Sequence, residues 1–413
     1  MTLDNRQTRT LLYAVYAIYF LNGMALCFEG AFNPEFKDYF HLGYQQQMYT
    51  MFAKNIPFVV AVVIGFAAAR IGFKNCLTLA MALFAAGTLL LVPGLQSGRY
   101  GLVLLALFII GLGFNFQLVA GNPLLSGLGP PQTGSSRLNL GNALGAVAQI
   151  IAPLVLTFII PATAVSVQEK LPYMKGLFVA IGVVLFAVAV LTVLARNVDI
   201  RQGLEPEASA STSDAGARSL WARPKVVLGF VTVFLVLGAE AGFFGLYRNF
   251  LQDPRVTTPL SSHESQRMFT VYFAVFALGR LVGSWVQKRV RPAVTLAFSA
   301  GAALVLLGLV VLTQGTVAIV SITLIGFFIS IFFPTLYSLA TQGLGEDTAK
   351  ASGLLTMGFL GCAILPVLQG RLADMDAVGL QRSFAMAFLP YGMVLFYALK
   401  GHTLQGRHAE STQ

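Results

Sequence analysis

The sequence predicts an all-α integral membrane protein of twelve transmembrane helices arranged as two six-helix bundles, and three observations carry that prediction. Of 413 residues, 56% are apolar and only 11% are charged, with a mean hydropathy of +0.74, more apolar surface than a water-soluble chain of this size can bury. The apolar residues fall into runs of about twenty, the length a helix needs to cross the hydrocarbon core. A single long polar interval near the middle separates two sets of six such runs.

The first span, near 10–32, follows the short polar MTLDNRQTR, which has no small-residue cleavage site and so reads as a retained segment. Five more spans follow near 46–69, 75–95, 100–125, 137–160 and 171–195, separated by charged or Gly/Pro-rich breaks. The interval Arg196 to Trp221 contains EPEASASTSDAGARS, a stretch without apolar periodicity that reads as a solvated linker. Spans resume near 225–250, 267–287, 293–313, 316–340, 350–370 and 381–400. The predicted organisation is thus a first bundle at 1–196, a linker at 197–221 and a second bundle at 222–413. Runs of this length lack the alternation of a membrane barrel, and a single helix satisfies its own backbone in lipid.

With both termini cytoplasmic, 16 Lys/Arg lie on the inside and 9 on the outside, leaving Lys54 and Arg280 within spans. That bias fits the positive-inside rule and a multi-pass protein of the cell (inner) membrane. The net charge of +10 therefore concerns orientation in the bilayer, and no nucleic-acid-reading module is present. Cys27, Cys76 and Cys362 are too scattered for a disulfide framework or a zinc site. His41, His263, His402 and His408 fall outside the spans, and no GxxxxGK[ST] loop occurs. An enzyme, a metal cofactor and ATP-driven transport are all unsupported, which leaves an ion gradient as the energy source.

Particular motifs sharpen this reading. Gly65-Phe-Ala-Ala-Ala-Arg70-Ile-Gly72-Phe-Lys74, between spans 2 and 3, resembles the GxxxDRxGRK loop of the major facilitator superfamily, with Ala69 where the acid usually stands. Gly279-Arg280-Leu-Val-Gly283 through Lys288 and Arg289 is its incomplete counterpart in the second half. Such a resemblance implies cytoplasmic gating by Arg70, Lys74 and Arg280; ordinary positive-inside loops are the plainer alternative. More specific are Ser330-Ile-Phe-Phe-Pro334-Thr-Leu-Tyr337, Gly343-Leu-Gly345, Ala351-Ser-Gly353 and Pro366-Val-Leu-Gln369-Gly370. These segments, with Asn122-Pro123, Arg137-Leu-Asn139 and Gly238-Ala239-Glu240, resemble the fucose–galactose–glucose proton symporter family from span 4 to span 11. The resemblance implies two halves rocking about a central sugar site.

Polar residues inside spans are candidates for that site, because retaining them in lipid is costly. Glu29 lies five residues before Pro34, whereas fucose-transporting members carry an acid four residues before the matching proline, a place held here by Gly30. The alternatives for Glu29 are proton coupling and a carboxylate at the watery mouth. Gln117 is one residue from the position where the family has Glu or Gln, and it offers hydrogen bonds but takes no proton. Asn22 shares the Glu29 face of span 1, and Asn142 and Gln149 share a face of span 5. Amides of this kind, Asn115 included, suit polyhydroxylated ligands or join helices. Glu240 in span 7 is read either as a second titrating acid lining the cavity or as an ion-pair partner of Arg280 or Arg248. Lys54 either snorkels, pairs with an acid such as Glu29, or binds an anionic substrate group. Phe243, Phe244, Phe333 and Tyr337 could stack on sugar rings.

These features point to a secondary active monosaccharide:proton symporter, needing only one chain, with a small polar substrate and the lipid bilayer as its partners. The alternatives are a carrier of an anionic sugar or other polar metabolite, an exporter of drugs or amphipaths, and a non-transporting sensor that keeps the fold.

Overall fold

The computed structural model describes residues 5–128, 134–194, 223–344 and 348–404, apart from a few side chains within helices. The expected linker at 197–221 lies outside the described residues. The described chain is all helical. The first half contains α1 (Asn5–Ala31), α2 (Asn33–Phe40), α3 (Tyr44–Asn55), α4 (Ala61–Ile71), α5 (Phe73–Gln96), α6 (Tyr100–Gly127), α7 (Gly134–Ile159) and α8 (Val167–Leu194). The second contains α9 (Pro224–Gln252), α10 (Ser262–Val286), α11 (Pro292–Leu312), α12 (Gly315–Ile329), α13 (Phe332–Thr341), α14 (Thr348–Thr356), α15 (Gly361–Asp374), α16 (Gly379–Ser383) and α17 (Phe388–Leu399).

These make twelve passes. Among the described residues, 11 helices are long and apolar enough to cross a membrane. The other pass is the second, where a continuous helix over 46–69 was expected. There a 3-10 stretch, Ile56–Val60, separates α3 from α4. Pro57 explains the break, because it has no N–H and its ring crowds the carbonyl four residues back. The first pass is also longer than expected, continuing through α2 to Phe40, with Pro34 in the first turn of α2. Passes 10 and 12 break in the same way, just before Pro334 and Pro390.

Contacts divide the chain into two units, Met1–Leu42 with Phe52–Pro206 and Gly43–Met51 with Glu207–Gln413. In the first, α5 packs on α6 and α8, and α1 packs on α7. In the second, α9 packs on α15, while α11 lies against α12 and α17. Small residues permit these approaches, as expected where lipid supplies no hydrophobic drive between helices. A β-carbon on Gly238 would come within 2.6 Å of the Gly361 carbonyl oxygen, and one on Gly361 would collide with the Phe234 carbonyl.

Residues 43–51 are flanked in sequence by the first unit but packed in the second. The Asp374 carboxylate at the end of α15 caps the start of α3, accepting from Tyr44 N at 2.7 Å and Gln45 N at 2.8 Å. One turn on, Gln47 Nε2 donates to Asn249 Oδ1 at 2.8 Å, and Met48 covers Gly245, where a β-carbon would lie 2.8 Å from its sulfur. An anionic acceptor at a helix start satisfies free N–H groups and complements the helix dipole. Asp374→Ala is expected to cost about 1 kcal/mol, read as a lower melting temperature in detergent and faster amide exchange over residues 44–48. Unchanged exchange there would mean that the cap does not hold the segment.

Candidate functional site

In the first unit, the polar residues of α1 and α6 meet each other. Asn22 Nδ2 donates to Gln117 Oε1, and one turn away Tyr19 Oη donates to Asn122 Oδ1 at 2.6 Å. Asn22 and Gln117 are both buried, and Asn22 Oδ1 has no hydrogen-bond partner among the described residues. Asn115 donates to the Pro57 carbonyl at 2.7 Å, tying α6 to the proline break in the second pass. Two of the five amides singled out in the sequence are thus joined, and a third, Asn115, bonds to the backbone.

The remaining candidates of this unit are dispersed. Lys54 is half-buried and makes no ion pair among the described residues, while its carbonyl sits against Gly111. Asn142 is exposed and donates to the Leu138 carbonyl of its own helix at 3.1 Å. Gln149 is half-buried, and its backbone carbonyl accepts from Cys27 Sγ at 3.4 Å. Arg70 is exposed and Lys74 half-buried. Glu29 belongs to α1, but its side chain, like that of Asn139, lies outside the described residues.

A buried ion pair escaped the sequence reading. Lys170 Nζ on α8 lies 3.6 Å from Glu35 Oε1 on α2, with both side chains at 6% exposure or less. The spacing gives no hint of it, since 134 positions separate two residues that lie near the predicted span edges.

The second unit gathers a denser cluster about Glu240. This residue sits about 18 Å from one end of α9 and about 24 Å from the other, so it lies at mid-depth. It is half-buried. No hydrogen bond or ion pair of Glu240 occurs among the described residues. Arg280 instead donates through Nε to the Ser330 carbonyl at 3.2 Å and lies over the Phe276 ring at 4.8 Å. The Ser330 carbonyl is available because Pro334, four residues on, has no N–H to offer it. Arg248 turns towards α10, reaching Ser262 Oγ at 3.0 Å and Ser265 Oγ at 3.4 Å. Neither arginine forms the close pair with Glu240 that the sequence allowed.

Aromatic rings pack together on α9 and the passes beside it. Phe244, next to Phe243 and one turn beyond Glu240, stacks on Phe273 with centroids 5.2 Å apart and planes 9° from parallel. Phe243 is buried between Phe384 at 4.9 Å and Tyr391 at 6.2 Å. Phe333 and Tyr337 are half-buried neighbours on α13, 6.0 Å apart. Tyr272 and Tyr391 were missed by the sequence reading. For Tyr272 a signal existed, since Phe269, Tyr272, Phe273, Phe276 and Arg280 recur at three- and four-residue spacing on one face of α10. Gln369, noted only as part of a motif, lies against Gly242, and its Nε2 has no partner among the described residues.

Comparison with known proteins adds independent findings. The Major Facilitator Superfamily profile matches residues 15–399. A Brucella abortus protein named glucose/galactose transporter is 31% identical over 393 residues, covering 94% of this chain and 93% of that one. An Escherichia coli L-fucose-proton symporter is 26% identical over 337 residues, covering 77% and 76%. The solved structure of the transporter FucP in the outward conformation aligns with a TM-score of 0.68 at 21% identity, over 96% of this chain and 99% of that one. An inward-facing bacterial homologue of the lysosomal transporter Spinster aligns at 0.75 with 15% identity, over 97% of each. At these identities the two structures speak for the fold alone.

Removing one partner of a buried ion pair costs the other its counter-charge. Lys170→Met is therefore expected to destabilise the protein by about 3–5 kcal/mol, and adding Glu35→Leu to recover much of that loss. Thermal unfolding of the single and double variants in detergent checks both halves of the statement.

Proposed function

The chain belongs to the Major Facilitator Superfamily, and from that premise we propose that it carries a neutral monosaccharide together with a proton by alternating access. It is a transporter and not an enzyme. The finer reading rests chiefly on one observation: Glu240 is an acid at mid-depth of a membrane pass with no ion-pair partner among the described residues, one helical turn before the Phe244 ring that stacks on Phe273. A carboxylate accepts from sugar hydroxyls, and ring faces pack on the apolar faces of a pyranose. The full-length likeness to a glucose/galactose transporter and the likeness to a fucose-proton symporter support the same substrate class.

In this proposal residues 1–196 and 222–413 form two bundles joined by a cytoplasmic linker at 197–221. A single chain sits in the cell membrane with both termini inside. The amides Asn22, Asn115, Gln117, Asn142 and Gln149 and the rings Phe243, Phe244, Phe333 and Tyr337 serve the sugar, while Arg70, Lys74 and Arg280 serve the gate.

Coupling follows from the cost of carrying a bare carboxylate through a state closed to water. Protonation of Glu29 or Glu240 removes that cost, so loaded and empty carriers interconvert more readily than half-loaded ones. Glu29→Gln and Glu240→Gln are each expected to lose accumulation driven by an imposed pH gradient, Glu29→Gln with sugar counterflow in proteoliposomes retained. Undiminished uphill uptake by both variants would remove these acids from the coupling. A second reading, transport of an acidic sugar, is favoured by Lys54, whose half-buried ammonium makes no ion pair among the described residues. Thermal stabilisation by glucuronate but not galactose, lost in Lys54→Ala, would establish it over the first.

A further inference from the structure

The turn between α10 and α11 carries charge of one sign. Lys288, Arg289 and Arg291 lie within four positions, and no Asp or Glu occurs between Glu264 and Glu346. All three are exposed, and none forms an ion pair among the described residues. The Arg289 guanidinium folds back over the indole of Trp285, in the last turn of α10, with its central carbon 4.3 Å from the ring centroid. A guanidinium stacked in this way is held by the ring face and keeps its N–H edge free for an acceptor.

On either side of the turn the exposed surface is apolar. Leu278, Leu281 and Trp285 recur three and four residues apart on α10, Val294 and Phe298 are four apart on α11, and all five are exposed, Trp285 by 56% and Phe298 by 70%. Phe298 meets the edge of Phe328 with centroids 6.3 Å apart, so this surface continues onto α12. On helices long enough to cross a membrane, exposed side chains of this kind face acyl chains. A tryptophan at the end of such a helix sits at the level of the lipid headgroups. The three cations thus stand at headgroup depth, next to an acyl-facing surface.

We propose that Trp285, Lys288, Arg289 and Arg291 form a binding site for the headgroup of an anionic phospholipid. The lipid phosphodiester accepts from the Arg289 guanidinium held over the indole, Lys288 and Arg291 supply further positive charge, and the acyl chains lie along the exposed stripes of α10 and α11. Three features select this occupant. Positive charge that no acid offsets favours a ligand of net negative charge over a zwitterionic lipid. The arginine fork matches the geometry of phosphate oxygens. The adjoining apolar surface gives acyl chains a place that a free phosphate ion would leave uncovered. A basic loop also attracts anionic lipid diffusely, by charge alone; a site differs in depending on which side chain carries the charge. The proposal concerns the lipid around the protein and does not depend on the identity of the transported substrate.

The sequence holds two tryptophans, Trp221 and Trp285, so in the full-length Trp221→Phe chain all indole emission comes from Trp285. That chain is reconstituted in mixed bilayers of phosphatidylglycerol and phosphatidylcholine, with brominated acyl chains on one lipid or on the other. Bromine quenches an indole it touches, so the two quenching curves give the relative affinity of the lipids beside Trp285, and a free phosphate ion gives no signal. Phosphatidylglycerol should be preferred about fivefold or more, the effect of roughly one basic residue at a membrane surface. Changing Lys288, Arg289 and Arg291 together to Gln should abolish the preference. Arg289→Lys keeps the charge but not the fork, and should lose at least half of it. Lys400→Gln, which removes an exposed charge at the end of pass 12, on the same side of the membrane as the end of α10, should leave it unchanged. Equal quenching by the two lipids in the unaltered background would overturn the site. So would full preference in Arg289→Lys, or a loss in Lys400→Gln as large as in Arg289→Gln, since either would reduce the effect to diffuse attraction.

Discussion

In the bilayer core a backbone carbonyl that loses its helical N–H has no water to turn to, and much of this molecule follows from that constraint. Four of the twelve passes break at or just before a proline: Pro34, Pro57, Pro334 and Pro390. Each proline withholds one donor from the ladder. At two of the breaks a polar side chain from a neighbouring pass reaches the backbone, Arg280 at the Ser330 carbonyl and Asn115 at the Pro57 carbonyl. Polar groups that look in isolation like substrate ligands are thus partly explained by the helices they mend. The same arrangement carries the Arg280 guanidinium over Phe276 and away from direct pairing with Glu240.

The two units treat their polar groups differently. In the first, Asn22 meets Gln117 and Tyr19 meets Asn122, so the amides and the phenol are largely engaged with one another. In the second, the hydroxyls of Tyr272 and Tyr391 have no hydrogen-bond partner among the described residues.

The number of passes was legible because each apolar run is long and bounded by charge or by Gly/Pro punctuation. The break in the second pass was legible only as a proline, since Pro57 lies within a run whose composition reads as continuous. Glu240 stood out as an acid in apolar surroundings, but the tyrosines packed on α9 did not. Tyr272 lies 32 residues further along the chain and Tyr391 lies 151 residues further, and only the packing of three passes brings their rings to Phe244 and Phe243. Glu35 and Lys170 were invisible for the same reason, each resembling an ordinary interfacial charge. The positions of Asn22 and Gln117 on facing helices were readable as polar stripes, whereas their bond to each other was not.

The segment 43–51 is linked by the peptide chain to one unit and by its contacts to the other. It therefore acts as a strap exchanged between partners, in the way that a swapped arm joins two subunits of a dimer. A polypeptide cut between Leu194 and Arg223 would yield an N-terminal fragment whose Gln47 and Met48 no longer met Asn249 and Gly245, and a C-terminal fragment whose Asp374 carboxylate had no helix to cap. Each fragment would display a surface complementary to the other. Fragments produced from separate genes would for that reason have a docking point already built into their sequences, nine residues long and independent of the severed connection.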